Sequence, residues 1–320
     1  WVQGAAGSRA KGLTAILYAM QNRRSQIIWI IALAIAFFFI LDPFRLFQSN
    51  NIPQMRVANE VQEDMERYLT TAVEPARYVV EQLETADLVM VGETGYVKQQ
   101  LEFVAGLIPA MDAAGYRHLG FQYANRDDQA AIDELLTASS FDEELANEIL
   151  FNHMVIMGYQ EHRAILRAAW QVNRSKSADE TPFRIIGLST TPNYGFIEEQ
   201  NDIEDPEILA QVFADGVPDQ IMADTIMERI VDPGHKGVVY TQLEHSFTDF
   251  RQTQYEQTMD ERGFPNQRRT GNILADRLGD RVRTVIFHGP LQDSRSRMGY
   301  GYPMGGAMER AMEGTPQGTL

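Results

Sequence analysis

Five short apolar runs alternate with helix-patterned segments along most of this chain: LVMVG at 88–92, HLGF at 118–121, FRIIGL at 183–188, GVVYT at 237–241 and RTVIF at 283–287. Runs this short, separated by stretches whose apolar residues recur every three or four positions, are the pattern of βαβ units. The expected fold is therefore α/β: a mainly parallel sheet covered by helices. Strands are expected at 87–91, 117–122, 183–188, 237–242 and 283–288. Helices are expected at 97–114, 128–137, 208–213 and 218–230, two more across 57–85 with the second starting near Pro75, and one or two across 141–173 with a break near Gly158. Sites in such sheets form where strands end at their carboxyl edge. That rule singles out Glu93, Gln122, Ser189, His245 with its neighbour Glu244, and His288. His153 and His162 sit on a helix, where solvation is the default expectation.

Charge is unevenly distributed. The first 41 residues hold Arg9, Lys11, Arg23 and Arg24 and no acid, which leaves 24 basic against 44 acidic residues beyond them, a net of −20. A domain this acidic repels phosphate backbones, and no basic stripe offsets it, so nucleic acid is excluded as a partner. With no cysteine in 320 residues there is neither a disulfide framework nor a thiol site. The chain opens on Trp1 rather than Met, and a segment upstream is expected.

Ile27 to Leu41 is fifteen residues without a charge. Ser25 and Gln26 before it, and Phe44 to Phe47 after it with Arg45 snorkelling, extend it to the ~20 residues that cross a bilayer. We expect a cytoplasmic basic segment at 1–24, a single transmembrane helix at 25–47, a stem at 48–56, an extracytoplasmic α/β domain at 57–292 and a Gly/Met-rich arm at 293–320. Arg23 and Arg24 before the span put the N-terminus in the cytoplasm and the acidic domain in a periplasm. A buried core helix and a cleaved signal peptide are the alternatives for the span. The second lacks a small-residue cleavage site after Leu41.

The run from Leu88 to Gln122, the helix ending AAWQVNR, the strand RIIGL and the segment VVYTQLEHS together resemble the erythromycin-esterase-like and haem-uptake ChaN-like superfamily, to which the Tiki-type membrane-anchored metalloproteases are related. The likeness runs from Ala86 to His288. It implies a first strand ending in Gly-Glu followed by His, a second ending in Glu, and a late Gly-x-x-His. Here Glu93 and His245 are kept. Gly95 and Tyr96 stand at the place of the first histidine, Gln122 replaces the second glutamate, and Gln242 replaces the glycine. Exchange of Glu for Gln keeps a polar shape and removes a proton acceptor. Loss of the histidine removes the general base. The remnants Glu93, Gln122, Glu244, His245 and His288 are thus candidates without a complete catalytic set. Glu93, His245 and His288 make a candidate three-ligand zinc site, and Tyr96 and Tyr123 are available for a family-like haem site.

In the arm, Met304, Met308 and Met312 fall at i, i+4 and i+8, and Tyr300 and Tyr302 flank Gly301. Methionine packs adaptably against irregular partners. Against this, Gly305 and Gly306 oppose a helix there. The expected function is a non-catalytic, membrane-anchored accessory subunit of a larger membrane complex, respiratory or photosynthetic, that touches lipid and partner subunits through its span and arm and needs no cofactor. The alternatives are a membrane-anchored metal-dependent hydrolase or protease and a haem-binding periplasmic protein.

Overall fold

A computed structural model describes residues 58–95, 97–153, 158–289, 291–292, 300–301 and 306–312. The expected transmembrane helix at 25–47, and with it Tyr96, Tyr302 and Met304, lies outside the described residues. Among those described, no helix is long and apolar enough to cross a membrane.

All five apolar runs are strands of one parallel sheet: β1 (Leu88–Glu93), β2 (His118–Asn125), β3 (Arg184–Ser189), β4 (Gly237–Gln242) and β5 (Val282–Ile286). Their spatial order is β3-β2-β4-β1-β5. Register on the central pair runs from Leu88 opposite Gly237 to Glu93 opposite Gln242. β2 follows the same register against β4 as far as Phe121 opposite Tyr240, and its pairing with β3 slips between Phe121 and Asn125. β5 ends at Ile286, so His288 lies beyond the sheet and is exposed.

The helices are α1 (Asn59–Thr71), α2 (Pro75–Thr85), α3 (Lys98–Ala113), α4 (Gln129–Thr137), α5 (Glu143–His153), α6 (Gln160–Arg174), α7 (Pro206–Val212), α8 (Pro218–Ile226), the one-turn α9 (Leu243–Ser246), α10 (Thr253–Glu261), α11 (Thr270–Leu278) and α12 (Ala307–Met312). Local chemistry sets several starts. The Glu74 carboxylate accepts from the Ala76 and Arg77 amides at 3.0 and 2.8 Å, with Pro75 at the first helical position. Asp205 and Pro206 repeat the device at α7. The helix expected over 218–230 runs as α8 and then a π turn over Met227–Val231.

Right-handed crossovers decide which face each helix covers. β1 to β2 and β2 to β3 step one way across the sheet, and β3 to β4 and β4 to β5 step the other. Accordingly Val89, Val91, Leu119, Phe121, Ile185, Val238 and Tyr240 share a core with α2 to α6, while Leu88, Met90, Ile186, Leu188, Val239 and Val282 share one with α8 and α11. Alternate residues of one strand therefore serve opposite layers.

The chain divides into two compact units. The larger, Tyr68–Leu291, holds the whole five-stranded sheet. The smaller includes the short α12, whose Ala307 and Ala311 are buried.

Candidate functional site

The alternation that places Val89 and Val91 against α2 to α6 carries Glu93 to the same side. There it is 4% exposed. The Tyr123 hydroxyl of β2 donates to its Oε1 and the Tyr240 hydroxyl of β4 to its Oε2. Both lie on that face for the same period-two reason. Burial pushes the Glu93 carboxyl above its ordinary range, opposed by the two phenol hydrogen bonds and reinforced by the negative charge of Glu244. Burial, followed by Glu93 itself, raises the Tyr240 phenol. The group is a closed carboxylate whose acceptor positions are occupied by neighbours.

Two histidines adjoin it. His162, from α6, is 2% exposed and rests on the Tyr123 ring with centroids 4.3 Å apart; His153, from the end of α5, meets the same ring edge-on at 6.1 Å. Among the described residues, neither ring nitrogen of His162, nor Nδ1 of His153, has a hydrogen-bond partner. Burial lowers both to a pKa of about 4, so both are neutral at neutral pH. Their expected solvation is therefore corrected: α6 turns His162 inward among Phe121, Tyr123 and Tyr159.

On the opposite layer a second group forms around Asp219, 2% exposed at the start of α8. Its Oδ1 faces His245 Nδ1 at 2.6 Å and accepts from the Thr270 amide and hydroxyl, each at 2.8 Å. Its Oδ2 accepts from Arg269 and from the Tyr255 hydroxyl, each at 3.1 Å. Burial alone would raise this acid. His245, Arg269 and the Thr270 N–H outweigh it and hold the carboxyl well below its usual range. Nε2 of His245 has no hydrogen-bond partner among the described residues. The Arg269 guanidinium lies 3.7 Å from the centre of the Tyr255 ring. Both side chains line an open groove of about 500 Å³ together with Phe250, Gln252, Thr253 and Gln254.

The candidates read from strand ends thus go to separate places. Glu93 belongs to the tyrosine nest and His245 to Asp219. Glu244 is half-buried, and its backbone carbonyl accepts from Gln252 at 2.5 Å. Gln122 does structural work: its side-chain oxygen accepts from the Gln242 amide at 2.7 Å, one residue past Phe121 on β2 and two past Tyr240 on β4, the last pair between these strands. Ser189 donates to the Gln122 carbonyl. Among the described residues no group of three or more His, Asp and Glu side chains is placed to hold a metal ion. The set Glu93, His245 and His288 accordingly does not fit a zinc centre. Met308 and Met312 lie on α12, and Tyr300 in a two-residue strand. Asp219, Arg269, Thr270 and His162 were not legible as site residues. An acid in a first helical turn reads as a dipole partner, and its ligands lie 26 to 51 residues away.

No family model matches the chain, and no curated protein matches it. Among solved structures it is similar to one of bacterial protein toxins (14% identity, TM-score 0.40, covering 70% of this chain and 39% of that one). It is also similar to a protein from Bacillus cereus (10%, TM-score 0.45, covering 75% and 78%) and to a succinoglycan biosynthesis protein (10%, TM-score 0.47, covering 71% and 75%). The chain thus spans well under half the length of the toxin.

Proposed function

We propose that this chain is a non-catalytic accessory subunit of a larger membrane assembly, respiratory or photosynthetic. Its α/β domain stands on the periplasmic side, residues 25–47 hold it in the bilayer, and the arm from 293, with Tyr300, Tyr302, Met304, Met308 and Met312, meets partner subunits. The observation that carries the non-catalytic part is the Glu93 nest. The carboxylate at the end of a central strand has each oxygen taken by a tyrosine hydroxyl and is withdrawn from solvent. A general acid or base must reach a substrate atom, and Glu93 reaches two phenols instead. Gln122, at the second position, is used to close the sheet. The test is co-purification from native membranes in mild detergent. Deletion of Arg297–Leu320, or exchange of 25–47 for an unrelated apolar helix, should release the subunit from its complex, whereas Glu93→Gln should leave it bound. Retention of both altered chains would sink the proposal.

One observation favours a second reading, an anchored hydrolase. Asp219 fixes the Nδ1 side of His245 and leaves Nε2 without a partner, the arrangement of a base and its orienting acid. Under it, His245→Ala should abolish a measurable ester hydrolysis.

A further inference from the structure

Phe250 is 61% exposed, yet the backbone that presents it is held rigidly. The side-chain amide of Asn272, itself 2% exposed, shares its two N–H groups among the carbonyls of Phe247 at 3.1 Å, Thr248 at 2.8 Å and Phe250 at 3.1 Å. Next to it Gly271 packs so near the Phe247 carbonyl that a Cβ would fall 2.5 Å from that oxygen. Another part of the lining is held by a different buried group. Asp219 holds the Tyr255 hydroxyl and the Arg269 guanidinium. Two buried polar side chains thus set parts of the lining in place, and preorganisation of this kind is what a binding site requires.

The lining also fixes the ligand's chemistry. Arg251 is paired with Glu256 through two contacts of 2.5 Å, and Arg269 is paired with Asp219. Neither cation is left unmatched. A charged ligand would give up its hydration here without gaining a counter-charge. The side chains of Thr253 and Gln254 have no hydrogen-bond partner among the described residues and offer a hydroxyl and an amide. An uncharged donor-acceptor set beside an exposed aromatic ring suits a molecule with many hydroxyls and an apolar C–H face. We propose that the groove between Phe250 and Tyr255 binds a short neutral saccharide. About 500 Å³ falls within the size range of small-molecule sites. This goes beyond the subunit reading and stands or falls separately from it.

The experiment uses the full chain in a zwitterionic detergent, since glycoside detergents would compete for the groove. It is applied to an array of neutral and acidic glycans, and each glycan bound is titrated by calorimetry. Neutral glycans should bind. Phe250→Ala and Gln254→Ala, both surface changes checked for folding by thermal melting, should each weaken binding by about two- to tenfold. Asp219→Asn, which loosens Tyr255 and Arg269, should weaken it as well. Failure of every neutral glycan to bind, tighter binding of acidic glycans, or affinity unchanged by both surface variants would each overturn the proposal.

Discussion

At the scale of single residues, the burial of His162 among aromatic rings couples the fold to pH. Burial holds its pKa near 4, with His153 adding to the effect and Glu161 opposing it. A histidine whose folded pKa lies below its unfolded value near 6.5 takes up protons first in the unfolded chain. Stability is therefore drawn away as pH falls from about 6.5 to about 4, by at most about 3 kcal/mol for this residue. His162→Leu should flatten that slope and unfold later in urea at pH 5 than the parent, because it also removes two ring nitrogens without partners. An unchanged slope from pH 7 to 4 would contradict the buried, neutral assignment. Asp219 acts in a separate window. Its folded pKa is depressed, so its contribution is complete above the ordinary carboxylate value near 3.9 and is lost only as pH falls below it.

Among the elements, strands were the most legible part. The run at 237–242 matches β4 residue for residue, and the others agree to within one to three positions. Strands buried on both faces are continuous apolar runs and announce themselves. Helices α10 and α11 were not foreseen: between Thr253 and Leu278 the apolar residues are sparse, and Asn272 and Thr270 are buried through hydrogen bonds that no apolar pattern records. The bulge in β2 was equally invisible, although it explains one glycine. Where β2 slips against β3, the Asn125 carbonyl comes so near Gly187 that a Cβ would sit 2.2 Å from it. Backbone cannot yield there as a side-chain tip would. Gly187→Ala should therefore cost about 1–3 kcal/mol, or more. On the exposed face of helix α3, Gly106 has nothing within 4 Å of its missing Cβ, and Gly106→Ala should stabilise by about 0.5–1 kcal/mol. Denaturant midpoints of the two variants test the pair. Equal effects of the same sign would mean that the close approach at Gly187 is absent in solution.

At the scale of the whole molecule, charge is separated along the chain. Four basic residues and no acid precede Asp42, and a net of −20 follows Leu41. The five-stranded sheet that gives the domain its fold lies entirely within Tyr68–Leu291, apart in sequence from the apolar run at 27–41. Disrupting that apolar run should therefore change where the protein resides without unfolding its α/β domain. An arginine near the centre of a spanning helix costs about 2.5–3.5 kcal/mol, so Ile31→Arg combined with Ala34→Arg opposes insertion by roughly 5–7 kcal/mol. The parent chain should stay with membranes through alkaline carbonate extraction. The double variant should be extracted and still show the cooperative thermal unfolding of the parent domain. If the variant remained in the pellet after carbonate, or the parent were released by it, residues 25–47 would not be the anchor. The placement of the acidic domain in a periplasm, and with it the accessory-subunit proposal, would then lose its footing.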